Sequence, residues 1–128
     1  MLLHGPCELQ GATATVDPAK ANAAQWQGMQ WALAQGLTRS IGVSNYNVSH
    51  LTALLAAPTT TITPAVNQCQ MSINGSAFCF PKTGVCLHGP GHDDATLKYC
   101  QQHNITYEAY DVMSGCPFKD PRLNAISK

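Results

Sequence analysis

The chain has 128 residues, of which 45% are hydrophobic and 11% charged, with Lys+Arg 7 balancing Asp+Glu 7. That is long enough for one domain with a core, too poor in charge for a disordered chain, and too evenly balanced to be drawn to nucleic acid or an anionic membrane. No window approaches the ~20 apolar residues of a membrane span, and residues 1–3 run at once into His4, Gly5 and Pro6 without the basic and long apolar regions of a secretory leader, so the expected setting is the cytoplasm.

The opening stretch MLLHGP reads as the end of a buried strand that closes on His4 and a Gly-Pro stop. A small-residue loop follows. Trp26, Met29 and Leu33 then recur at helical spacing among alanines, and Gly36 stands where a C-terminal glycine belongs. Residues 40–43 form a short strand running into Ser44 and Asn45. Asn47 is an N-cap for a helix with Leu51, Leu54 and Leu55 on one face, with Pro58 past its end. A Thr-rich loop leads through Pro64 to a third strand over residues 65–69, whose site end is expected at Asn67 and Gln68.

Residues 74–92 are rich in Gly and Pro and lack periodicity, which marks an irregular insertion within a single domain spanning 1–128. Asp93 or Asp94 then caps a helix expected to bury Leu97 and Cys100. Residues 105–110 make a fourth strand ending at Tyr110 and Asp111, and Asp120-Pro121 opens a last helix.

Strict alternation of strand and helix implies parallel strands with right-handed crossovers, an architecture that puts ligands at the C-terminal strand ends. All four expected ends carry hydrogen-bonding side chains: His4, Ser44-Asn45, Asn67-Gln68 and Tyr110-Asp111. Asn67 reads as structural, and Tyr110 is balanced between core packing and a role in the site. Cys7, Cys69, Cys79, Cys86, Cys100 and Cys116 are expected as reduced thiols. A secreted disulfide set is the alternative, towards which sequons at Asn47, Asn74 and Asn104 lean. Cys86, His88, His92, Asp93 and Asp94 match no standard zinc spacing, and no metal is expected.

These residues resemble the aldo-keto reductases. GLTRSIGVSNYNVSHLTALLAA followed by PAVNQCQ is similar to the family's strand ending in G-V-S-N-F/Y, its leucine-paired helix and its V-N-Q strand. LLHGP is similar to its L-x-H-x-P strand, and YCQQHNITYEAYDVMSG to its Y-C…A-Y-S-P-L stretch. The resemblance implies a partial (β/α)8 TIM barrel, about units four to seven, which four strands leave unclosed. It implies NADPH-dependent reduction of a small aldehyde or ketone to an alcohol. His4 then matches the histidine that hydrogen-bonds the substrate carbonyl. Ser44, Asn45 and Gln68 match the positions that hold the nicotinamide carboxamide, and Tyr110 the aromatic that stacks on its ring.

The family's catalytic tyrosine, lysine and aspartate lie on earlier units, so the chain by itself is expected to be inactive. Asp111 stands where the family has serine near the cofactor phosphates, which a carboxylate repels. The alternative reading is a non-catalytic fragment or interaction module that keeps only the fold. Edge strands and an apolar, uncovered sheet face lead to an expectation of self-association.

Overall fold

The computed structural model describes residues 1–7, 17–72, 93–113 and 119–126. Its elements alternate as β1 (Leu2–Leu3), α1 (Pro18–Ala34), β2 (Gly42–Ser44), α2 (Val48–Ala56), β3 (Val66–Gln70), α3 (Asp94–Gln102), β4 (Thr106–Tyr110) and α4 (Pro121–Ile126). The expected insertion at 74–92, with Cys79, Cys86, His88 and His92, lies outside the described residues, as does Cys116.

Every strand pair is parallel, and the spatial order β1-β2-β3-β4 repeats the order in sequence. Stepwise winding in one direction is the arc of a β/α barrel, and β1 and β4 remain its two edges among the described residues. Register shows why Gly42 is glycine. A Cβ there would stand 2.6 Å from the Val66 carbonyl oxygen and 2.5 Å from its Cγ1, closer than packed atoms tolerate.

Local chemistry sets the helix limits. The Asp17 carboxylate accepts from Ala19 N–H at 3.0 Å, and Pro18 occupies the first turn, where no N–H is needed. α1 ends as Gly36 turns left-handed at φ +69°: Gly36 N–H reaches Leu33 O and Leu37 N–H reaches Ala32 O, both at 3.0 Å. α3 ends on the same device with Asn104 at φ +56°, where Ile105 N–H reaches Cys100 O at 2.9 Å. α2 begins in a reciprocal box. Asn47 Oδ1 accepts from His50 N–H at 3.0 Å, while Asn47 N–H donates to His50 Nδ1 at 3.2 Å. Asp93, and not Asp94, caps α3.

The helices cover one face of the sheet. Trp26, Met29, Ile41, Val43, Tyr46, Leu51, Leu54, Cys100 and Ile105 form the core there. Trp26 Nε1 donates to Ile62 O at 2.9 Å. The buried Gln30 amide donates to Thr59 O at 2.8 Å and accepts from Thr61 and Ile62 N–H at 2.8 and 2.9 Å, so one side chain orders the Thr-rich loop. Thr96 is buried in the place expected for Leu97, which is half-exposed: with the cap at Asp93, the inward pair on α3 is Thr96 and Cys100, one turn apart. Cys7, Cys69 and Cys100 are buried, unbridged thiols.

The opposite face is mixed where an apolar one was expected: Leu2, Gly42, Val66 and Thr106 make its first row, Ser44, Gln68 and Glu108 the next, and Gln70 with Tyr110 the last, so it turns polar towards the strand ends. Alternation along a strand sends neighbours to opposite faces, so Asn67, Cys69 and Tyr107 lie on the helix side and the residues between them on the open side.

Candidate functional site

The C-terminal ends of the strands are tied together by Asn45. This residue follows β2 with φ +60°, a left-handed conformation that Asn adopts more readily than most residues. Its backbone N–H donates to Gln68 O at 2.9 Å. Its side-chain Nδ2 donates to His4 O at 2.9 Å and Ser44 Oγ at 3.1 Å, and its Oδ1 accepts from the Tyr110 hydroxyl at 2.8 Å. One buried residue thus touches the ends of β1 and β4 through its side chain and β3 through its backbone. Ser44 Oγ donates in turn to Gln68 O at 2.8 Å.

The expected site residues His4, Ser44, Asn45, Gln68 and Tyr110 therefore come together at one end of the sheet. Asn67 sits apart from them. Fully buried on the helix side, it accepts from Tyr46 N–H at 3.3 Å and donates to Tyr46 O at 2.7 Å, holding the chain after β2. β3 runs one residue past the expected 65–69 and two past the site end expected at Asn67 and Gln68, because Cys69 and Gln70 pair with Ala109 and Tyr110. Gln68 is consequently a mid-strand residue on the open face, and Gln70 is the terminal one.

Counting valences shows what this end can bind. Both Asn45 Nδ2 hydrogens are used, and its Oδ1 keeps one acceptor position. The half-buried Gln68 amide has no hydrogen-bond partner among the described residues, so its donors and its acceptor are open. The His4 imidazole is exposed. A planar amide placed here meets an acceptor from Asn45 and both kinds of partner from Gln68, and the half-buried ring of Tyr110 lies on the same face. These residues fit a nicotinamide carboxamide.

Burial pushes the Tyr110 phenol above its ordinary pKa, with Cys69 and Asp111 adding to the rise and the Asn45 hydrogen bond opposing it. Tyr110 is therefore a neutral donor over the physiological range. On the helix side, burial lifts the Cys69 thiol to about 12 and raises Cys100 as well, so both are inert, protonated packing groups.

Two residues of this end escaped the motif reading. Gln70 Nε2 donates to Asp111 Oδ2 at 2.6 Å, so Asp111 is a tethered carboxylate rather than a free one. Glu108 faces the open side next to Gln68. The signal for both was strand periodicity: counting by two from Gln68 reaches Gln70, and counting back from Tyr110 reaches Glu108.

Comparison with known proteins gives these observations a context. The model of the Aldo/keto reductase family matches residues 13–122. An uncharacterised oxidoreductase of Schizosaccharomyces pombe is 34% identical over 110 residues, covering 85% of this chain and 33% of that protein. The rabbit (Oryctolagus cuniculus) aldo-keto reductase family 1 member D1 is 30% identical over 117 residues, covering 82% of this chain and 31% of its own length. Among solved structures, a Bombyx mori aldo-keto reductase in complex with NADP superposes with a TM-score of 0.64 at 27% identity, covering 98% of this chain and 38% of that one. The chain spans about a third of the length of these curated relatives.

Proposed function

The chain belongs to the aldo/keto reductase family, and from that premise we propose that it supplies the nicotinamide-binding part, about four of eight units, of a barrel that reduces aldehydes or ketones to alcohols with NADPH. The observation that carries this reading is the Asn45 knot. It ties the strand ends to one another, keeps one lone pair of the buried Asn45 Oδ1 unused, and leaves the half-buried Gln68 amide without a partner among the described residues on the face away from the helices.

Ser44 holds Asn45 from one side and the Gln68 carbonyl from the other. Asn45 accepts from the carboxamide N–H, and Gln68 meets both ends of the same amide. The ring of Tyr110 backs the nicotinamide plane, and its hydroxyl, locked on Asn45, keeps that plane from turning. When bound, the cofactor supplies the hydride. His4 donates a hydrogen bond to the substrate carbonyl oxygen as negative charge grows there.

The 128-residue chain on its own does not turn over, because the tyrosine, lysine and aspartate that serve as acid in this family lie on other units. A positioned acid typically contributes about 10²–10⁴ in rate. Among the described residues β1 and β4 are the edges of the sheet, an arrangement that favours association between copies. The test is NADPH oxidation with a reactive aldehyde. No turnover above the protein-free rate is expected, and turnover abolished by His4→Ala overturns the assignment of an incomplete catalytic set.

A further inference from the structure

Asn45 stands at φ +60°, a conformation that is costly for a residue with a side chain and persists where the surroundings over-determine it. Two neighbouring residues of β3 do so, one through its backbone and one through its side chain. The peptide before Asn45 is held by its own N–H, which donates to Gln68 O at 2.9 Å. The peptide after it is held from the helix side: Tyr46 N–H donates to Asn67 Oδ1 at 3.3 Å, and Asn67 Nδ2 donates back to Tyr46 O at 2.7 Å. Both peptide planes around the Asn45 Cα are thus tied to β3. That sets φ and ψ together, and with them the direction in which the Asn45 side chain leaves the backbone. The pairing of β2 with β3 ends at Ser44 and Gln68, so the Asn67 amide stands in for a strand partner beyond the last pair. Asn67 is 0% exposed, and its Nδ2 also lies 3.9 Å from Cys100 Sγ, on the face away from the open side.

We propose that Asn67 is a positioning residue for the nicotinamide site, acting across the sheet through the Tyr46 backbone to keep Asn45 left-handed and its amide aimed at His4 O, Ser44 Oγ and the Tyr110 hydroxyl. The proposal rests on the reading of that end as a carboxamide site. Accepting from the N–H and donating to the C=O of one and the same residue takes both ends of a primary amide. Leucine offers neither function, and an ionised aspartate offers acceptors alone. Without the clamp, the peptide after Asn45 is free to turn and Asn45 relaxes towards negative φ. Its Oδ1 then leaves the Tyr110 hydroxyl, and the lone pair meant for the ligand swings away with it. A residue of the closed face therefore governs recognition on the open one without touching the ligand.

The test reads two NMR signals of the isotope-labelled 128-residue chain, under conditions where urea unfolding shows each variant folded. One is the intraresidue NOE between the Asn45 N–H and Hα, which is strong in left-handed backbone and needs no ligand. The other is the midpoint of an NADP titration followed at the Gln68 side-chain amide. The wild-type chain gives a strong NOE and a saturable shift. Asn67→Leu weakens the NOE and raises the midpoint about tenfold, the order of the bias against left-handed backbone. Asn67→Ala does the same without the bulk of leucine. Ile41→Val trims the buried core just before β2, outside the clamp, and alters neither signal. An unchanged NOE or an unchanged midpoint in the Asn67 variants, or equal losses in Ile41→Val, overturns the proposal. A wild-type chain with no saturable shift overturns the nicotinamide reading instead, and the NOE still decides whether Asn67 holds Asn45.

Discussion

The two faces of the sheet are built from alternate residues of the same strands, yet they obey different rules. On the helix side, Val43, Asn67 and Cys69 are 0% exposed, and the one strongly polar group among them, Asn67, has its amide paired with the Tyr46 backbone. On the open side, Gln68 is half-buried with its amide unpaired, Glu108 is exposed, and Gln70 keeps an orphan carbonyl. Burial distinguishes the faces more than hydrogen bonding does, since the Tyr107 hydroxyl on the helix side also lacks a partner among the described residues: the helix face is closed and apolar around a paired Asn67, and the other face carries half-buried Gln68 and exposed Glu108. Substitutions on the two faces should therefore separate in what they change, save at Asn67, which acts on both through Tyr46.

The largest expected effect is on the helix side. Trp26→Ala removes a fully buried indole and its hydrogen bond to Ile62 O, and should cost about 3–5 kcal/mol in urea unfolding. Gly42→Ala drives a methyl group into the Val66 backbone and side chain and should cost about 1–3 kcal/mol by the same measurement. Asn67→Leu removes both side-chain bonds to the Tyr46 backbone, with a loss of similar size, about 1–3 kcal/mol.

Alkaline pH sharpens the contrast. The Cys69 thiol rises from 9.0 to about 12 on folding, so above pH 9 the unfolded chain gives up a proton that the folded chain keeps. Stability contributed by this group is complete below pH 9 and falls as pH rises towards the folded value, by about 1 kcal/mol per pH unit. Cys100 and Tyr110 act in the same direction. Unfolding midpoints between pH 8 and 11 should fall, and Cys69→Val should flatten the slope. The smallest effect belongs to the open face. Glu108→Gln, at an exposed residue, should leave stability within about 0.5 kcal/mol, and a larger loss would dissolve the distinction between the faces.

Much of this arrangement is legible in the sequence because it is encoded locally. Asn47 caps α2, Pro121 opens α4 and Gly36 ends α1, each through bonds within a few residues. The strand order follows from alternation, and the family motifs locate His4, Ser44, Asn45, Gln68 and Tyr110 at one end of the sheet. What depends on register was not legible. The extension of β3 to Gln70 needs the pairing with β4, and the choice of Thr96 over Leu97 needs the phase of α3 against the sheet. His50 serves in the α2 box where Glu or Gln is usual, so no sequence pattern announced it. The polar strand ends of the open face were only partly visible, because a third strand over residues 65–69 leaves out Gln70, which lies on the same face as Gln68.

The central claim is that the open face, and not the helix face, recognises nicotinamide. The most direct measurement is an NMR titration of the 128-residue chain with NADP, observing the side-chain amides of Asn45, Gln68 and Asn67 together with the ring of Tyr110. The account predicts saturable shifts at Gln68, Asn45 and Tyr110, with Asn67 unmoved, and loss of saturation in Gln68→Ala. Shifts centred on Asn67 and the helix side, or no saturable shift at Gln68, would contradict it.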